Sequence, residues 1–230
     1  MLLGKRPIGT IAYLGGLMSL PEPFMWSWSQ MVEFNSDYLV QPNECIFYNR
    51  ATVSYHVYAR NSLVDQMKGD WLLMLDTDIK FEPDIAMRIL NMMDQHKIDV
   101  LAAIYTYKAY PHSPVLFLFN DKGDALMPLG DWSDNAQIYE LGSAGAGCLM
   151  VRKSVFDKIR KAKESPFDII HPFSEDHSFF RRLKKLKIKA YYSPLIEVNH
   201  LGYKSYSLKD YDKSVVRLSK KRKSEGRVLR

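Results

Sequence analysis

The chain has 230 residues, of which 47% are hydrophobic, 25% charged and 13% aromatic, the balance of an ordinary soluble globular protein expected to form one domain. At this length about 70% of the unfolded surface can be buried, so neither disulfides nor a structural metal is required; the longest apolar stretch, residues 11–18 with two glycines, is far short of the ~18 residues that span a bilayer. The net charge of +6 is concentrated at the end of the sequence, where residues 204–230 hold ten Lys/Arg against three Asp/Glu and leave −1 for the rest.

In chain order, Lys5-Arg6 followed by residues 8–20 loosely imitates a secretory signal, but no small-x-small cleavage site precedes Pro21. The same residues read as a first buried strand, IGTIAYL (8–14), running into a Gly-rich loop. Further apolar runs suited to buried strands are ECIFYN (44–49), DWLLMLD (70–76), DVLAAIY (99–105), PVLFLF (114–119), GCLMVR (147–152) and KAYYSPL (189–195). Residues 24–34, 53–68, 83–96 and 154–164 space their apolar positions as helices do, with Pro83 and Ser154 at helix-start positions. The alternation predicts an α/β fold that opens βαβαβα. Beyond residue 105 the strands shorten, and the polar segment 120–135 reads as a lid or hairpin. Cys45 and Cys148 stand alone without a CxxC or a histidine pair, which points to a reducing, cytoplasmic location.

The sharpest local signal is the strand that runs into Asp76-Thr77-Asp78. In open α/β sheets ligands bind beyond the carboxyl ends of strands, so these carboxylates face a cleft. At i and i+2 they can offer hard oxygen ligands to Mg²⁺ or Mn²⁺ beside a diphosphate, although an acidic turn after a strand is also common. Ser174-Glu175-Asp176-His177 opens the amphipathic stretch DHSFFRRLKKLKI, placing Glu175 and Asp176 at a helix N-terminus that stabilises anions. There a carboxylate can serve as a general base, or the pair can simply cap the helix. His200, after the apolar run AYYSPLIEV, has the chemistry of a ligand for a transition-type cation, or of a hydrogen-bonded loop residue. Gly142 to Gly147 reads GxxGxG, which is neither the dinucleotide fingerprint nor a Walker loop. Its small residues would let a sugar approach main-chain N–H groups, or would simply permit a tight turn.

In order along the chain, ARN (59–61), LDTDI (75–79), GCLMVRKSVF (147–156), SEDHSFF (174–180) and NHLG (199–202) together resemble the GT-A class of glycosyltransferases, in particular small phage-type and family-2-like enzymes, over residues 8–203. The resemblance implies a Rossmann-like α/β/α sandwich with a mixed central sheet in residues 1–203, and a short basic C-terminal extension in residues 204–230. It implies a metal-dependent transfer of a sugar from a nucleotide-sugar donor, a UDP-sugar favoured, with Mn²⁺ or Mg²⁺. Asp76 and Asp78 look like the DxD pair, with Asp78 on the metal and Asp76 on nucleotide or metal, and His200 looks like the late metal-binding histidine. Arg60 looks like the arginine that approaches the donor diphosphate. Glu175 and Asp176 look like the pair that faces the acceptor, Asp176 being the base of an inverting reaction. Pro21, Glu22 and Gly145 would help enclose the donor, and Lys108 or Tyr110 would touch donor or acceptor.

Three other functions compete, one of them a nucleotidyltransferase, which would want a basic triphosphate loop near the N-terminus where GGLMSLPEP has no basic residue. A phosphotransferase whose first DxD aspartate is phosphorylated would leave the Glu175-Asp176 and His200 signals unexplained. A nucleic-acid-binding protein would use the basic tail, with a second basic block, RRLKKLKIK (181–189), adding positive surface; solvated helix faces explain the same charges. A phage-encoded transferase in the host cytoplasm that glycosylates modified DNA would combine the two ideas, while glycan, lipid-linked and protein acceptors fit the motifs equally.

Overall fold

The computed structural model describes residues 5–15, 20–52, 55–120, 122, 126–129 and 138–212. In chain order these form β1 (Arg6–Leu14), α1 (Glu22–Tyr38), β2 (Glu44–Ala51), α2 (His56–Gln66), β3 (Trp71–Asp76), β4 (Ile79–Lys80), α3 (Ile85–His96), β5 (Val100–Ile104), β6 (Leu116–Phe119), β7 (Leu126–Pro128), β8 (Tyr139–Leu141), β9 (Ser143–Ala144), β10 (Cys148–Arg152), α4 (Lys153–Lys161), α5 (Glu175–Lys185), β11 (Ala190–Glu197), β12 (Asn199–Leu201) and β13 (Ser205–Tyr206), with a 3-10 turn at Leu208–Asp210.

The fold is α/β with a mixed central sheet of seven strands, ordered β2-β1-β3-β10-β5-β11-β8. Strands β2, β1 and β3 are parallel, β10 runs antiparallel between β3 and β5, and β11 returns parallel to β5. Side chains on a strand alternate between faces, and β3 shows why the sheet is covered on both. Leu72 and Met74 enter one core with Leu63 of α2, Phe156 of α4 and Phe179 of α5; Leu73 and Leu75 enter another with Met31 of α1 and Ile89 of α3. Helix α3 presents Ile85, Ala86, Ile89, Leu90 and Met93 as one buried stripe, as its 3.6-residue period requires.

The early βαβαβα alternation is present, with α1 longer than the expected 24–34. Past β5 the chain builds two small sheets, β13-β12-β4 and β7-β6-β9. Strand β7 pairs antiparallel with β6, a hairpin within the segment expected at 120–135; positions 121, 123–125 and 130–135 of that segment lie outside the described residues. The expected boundary after residue 203 falls inside a folded unit. Strand β13 pairs with β12, the Leu208 N–H donates to Glu197, and Tyr211 is buried, so residues 204–212 belong to the body. The remainder of the basic extension, 213–230, lies outside the described residues. Among the described residues no helix is long and apolar enough to cross a membrane.

The turn into β3 depends on Gly69. Its φ is +76°, and a Cβ there would stand 2.3 Å from the backbone nitrogen of Gly9, a separation no side chain tolerates. Gly69→Ala should cost at least ~1–2 kcal/mol from the left-handed backbone alone, read as a lower urea midpoint; an unchanged midpoint would contradict this account of the turn.

Candidate active site

Strands β3, β5 and β11 point the same way, so their carboxyl ends share one edge of the sheet, where the antiparallel β10 begins. Four chain-distant segments meet at that edge: 76–78 after β3, 105–108 after β5, 145–147 before β10, and 198–200 after β11. The N-termini of α2 and α5 supply the rest.

Arg60 organises this edge. It is carried by α2 and is only 2% exposed. Its Nη2 donates to both carboxylate oxygens of Asp76 at 3.0 and 3.1 Å, its Nη1 to the Ala146 carbonyl at 3.1 Å, and its Nε to Glu175 at 3.4 Å. A buried guanidinium needs such partners, because an unpaired charge in a low-dielectric interior is costly. Burial opposes its charge, but Asp76 and Glu175 outweigh that and raise its pKa. The resemblance places Arg60 against the donor diphosphate; here its donors are spent on the protein, and its role is to hold Asp76 and Glu175. Asn61, the next residue of the ARN motif, likewise serves the scaffold by bonding the Phe167 N–H and Asp168.

The two acidic motifs therefore divide in the same way. Asp76 is clamped by Arg60, whereas Asp78 faces the cleft, its side chain 40% exposed. Glu175 turns to Arg60 and to His56, whose Nδ1 lies 3.5 Å away, instead of facing an acceptor. Burial would raise the Glu175 carboxyl, but the His56 hydrogen bond and the Arg60 charge prevail and hold it at about 2. Asp176 accepts the His177 N–H at 2.7 Å and the Ser174 hydroxyl, both on Oδ1. Its charge acts on Arg60, Tyr105 and Tyr107, all residues of this edge.

His200 reaches Asp78 through strand register. Strand β12 pairs with β4, directly after the Asp76–Asp78 turn, matching His200 to Ile79, and the Leu201 N–H donates to the Asp78 carbonyl at 2.6 Å. The histidine Nε2 then lies 3.2 Å from Asp78 Oδ2. Its Nδ1 is 2.8 Å from the Thr106 carbonyl, which only accepts, so Nδ1 carries a proton; Nε2 donates to Asp78 when it too is protonated, and is the nitrogen open to a metal once that proton is gone. A ring nitrogen anchored on a carbonyl is the usual arrangement of a metal-binding histidine. Two donor atoms each ~2.1 Å from one ion at right angles stand about 3 Å apart, close to the spacing seen. Asp78 and His200 thus have a spacing that a divalent ion could span. Asp76 does not join them, and among the described residues no three His, Cys, Asp or Glu side chains form a ready metal cage. Burial would raise the Asp78 carboxyl, but hydrogen bonds from His200 and Lys108 hold it at about 2.

Four other residues expected at the donor or acceptor make contacts within the protein or lie at its surface. The Gly145 N–H donates to the Val115 carbonyl, and a Cβ there would lie 2.0 Å from the Tyr105 hydroxyl. The glycines around 145–147 admit Tyr105, whose hydroxyl accepts the Gly147 N–H at 3.2 Å. Pro21 and Glu22 begin α1 at the surface; no hydrogen bond or ion pair described ties them to the Arg60 cluster. The Tyr110 hydroxyl donates to Asp212. Tyr105 and Tyr107, directly after β5, also lie at this edge, a position that the end of a parallel strand marks.

The basic block at 181–189 is mostly internally paired. Arg182 is buried on the Asp168 carbonyl and Glu164, Lys185 also meets Glu164, and Lys189 meets Glu140. Arg181 and Lys184 lie over the rings of Phe173 and Phe119. A cavity of about 670 Å³ lined by Phe119, Leu141, Phe180 and Lys184 sits beside this block and contains none of the expected site residues.

No family model and no curated protein matches this chain. Among solved structures, the crystal structure of A197 from STIV is similar with a TM-score of 0.57 and 17% identity, covering 84% of this chain and 85% of that one. That likeness bears on the fold alone.

Two outcomes follow from the cluster. Arg60→Ala removes the guanidinium partner of Asp76 and leaves Glu175 with His56 alone, and should cost about 3–5 kcal/mol, measured by chemical denaturation; a loss below ~1 kcal/mol would mean that water replaces the guanidinium. Glu175 has a depressed pKa when folded, so its contribution is complete above its unfolded value of 4.5 and disappears as pH falls toward about 2. The acid limb of stability against pH should therefore be shallower in Glu175→Gln, and superimposable limbs would refute the assignment.

Proposed function

We propose that this chain is a metal-dependent glycosyltransferase of the GT-A type that moves a sugar from a nucleotide-sugar donor, a UDP-sugar favoured, to an acceptor hydroxyl with inversion. The observation that carries this reading is the meeting of Asp78 and His200, 122 residues apart in sequence, at 3.2 Å, with the imidazole anchored so that Nε2 faces the carboxylate. Asp176 on the same edge supports it, since a transferase needs a proton acceptor as well as a diphosphate site.

Asp78 and His200 would hold Mn²⁺ or Mg²⁺, which when bound supplies neutralising charge for the departing diphosphate. Arg60 fixes the Asp76 carboxylate and, through Glu175, the start of α5, so that Asp176 projects from a braced helix end. With Oδ1 held by the His177 N–H and Ser174, the Asp176 Oδ2 accepts the proton of the acceptor hydroxyl. As the acceptor oxygen bonds to sugar C1, the C1–phosphate oxygen bond breaks and its electron pair leaves with the diphosphate. Tyr107, exposed beside Asp176, offers an aromatic face suited to a sugar ring.

The competing readings are less well supported. A phosphotransferase needs Asp76 as a nucleophile, and both its oxygens are bonded to Arg60. Nucleic-acid binding through 181–189 would have to break the pairings that block already makes, so DNA as partner or acceptor rests on residues 213–230.

Thermal shifts with UDP-, GDP-, CMP- and dTDP-sugars, with and without Mn²⁺, test the proposal. A UDP-sugar with Mn²⁺ at about a hundred times its Kd should stabilise the protein by ~2.7 kcal/mol. Asp78→Asn should lose the Mn²⁺-dependent part of the shift. Asp176→Asn should keep the shift while turnover falls roughly 10²–10⁴-fold. If no nucleotide-sugar stabilises the wild-type protein, the proposal fails.

A further inference from the structure

A cation already stands on Asp78. The Lys108 ammonium lies 2.6 Å from Oδ2, the same carboxylate oxygen that faces His200 Nε2. Its position is built into the surrounding backbone. The loop that carries it is braced by the bridge between Thr106 and Pro114 and by the Tyr107 N–H donating to the Ser113 carbonyl. The loop is further tied to the C-terminal segment, where the Asp212 N–H donates to the Pro111 carbonyl. A Cβ at Gly202 would meet the Tyr206 ring at 3.0 Å and the Lys108 Cδ at 3.3 Å. The glycine of the NHLG motif therefore leaves room for both the tyrosine ring and the lysine stem, two residues after the histidine that faces the same carboxylate.

Resting on the transferase reading of this site, we propose that Lys108 is a tethered counter-cation that competes with the divalent ion for Asp78. The ammonium occupies the Asp78 oxygen that lies beside His200 Nε2, where the metal would bind, and like charges repel at such short range. With the metal away, Lys108 neutralises and orders a carboxylate that Arg60 does not serve. For the metal to bind, the ammonium must leave Oδ2, and the half-exposed side chain has solvent to move into. Affinity is then reduced by the fraction of molecules in which the carboxylate is free: a site paired nine-tenths of the time binds about tenfold more weakly.

Mn²⁺ binding to the full chain, followed by the electron paramagnetic resonance of the free ion without nucleotide, decides the matter. Lys108→Met should bind Mn²⁺ at least about tenfold more tightly than wild type, and Lys108→Gln, equally uncharged, should behave alike. Adding Asp78→Asn to Lys108→Met should abolish the gain. Equal or weaker affinity in both uncharged variants would overturn the competition, and the transferase reading would survive it if wild type still binds Mn²⁺ in the presence of UDP. Failure of every variant and of wild type to bind Mn²⁺, with or without UDP, would overturn this inference together with the metal-dependent reading.

Discussion

A single buried cation holds the functional edge of this protein together. Arg60 is almost completely removed from water, so it must be neutralised where it stands, and its planar fork can satisfy several acceptors at fixed angles. Asp76 comes from the end of β3, Ala146 from the segment entering β10, and Glu175 from the first turn of α5. These segments are distant in sequence and belong to different layers. Electrostatic necessity at one guanidinium thereby fixes the relative position of a strand end and a helix start, which is what a two-sided site requires.

Arg60 binds only one carboxylate of each acidic motif. In Asp76-Thr77-Asp78 the first is clamped and the third faces the cleft; in Glu175-Asp176 the first is clamped and the second keeps an oxygen outside its local bonds. A motif of paired acids is thus one anchor and one working group. The division also accounts for Asp78 and its neighbours, because a carboxylate outside the reach of Arg60 needs its own positive partners, and His200 and Lys108 are at hand.

Much of the fold was legible in the sequence. The run WLLMLD could only be a strand buried on both faces, and the i, i+4 spacing in residues 85–93 marked α3. Short pairings were not legible: β4 and β13 have two residues each, too few for any periodicity, yet the match of β12 to β4 is what carries His200 to Asp78. Burial was the other blind spot. Arginine is so often a surface residue that Arg60 read as a donor contact, and the glycines at 142–147 read as access for a ligand. Gly145 and Gly147 make room for the Tyr105 ring and Gly142 for the backbone of residues 117–119, which no local pattern announces. Basic residues at 181–189 read as free charge because their partners, such as Glu164, Glu140 and the Phe119 ring, lie elsewhere along the chain.

The same contrast bears on what binds at this edge. Asp78 and His200 are held by backbone, through the Leu201 N–H and the Thr106 carbonyl, so their separation is set by sheet register and not by a mobile loop. A site of two fixed protein ligands cannot by itself complete the shell of a six-coordinate ion, and the ligands still missing must be oxygens brought by a substrate or by water. Such an ion is better suited to bridging protein and diphosphate than to serving as a structural staple. On the proposed transferase reading, an ion held by Asp78 and His200 alone would leave coordination positions for diphosphate oxygens, with Asp176 on the same edge to take a proton.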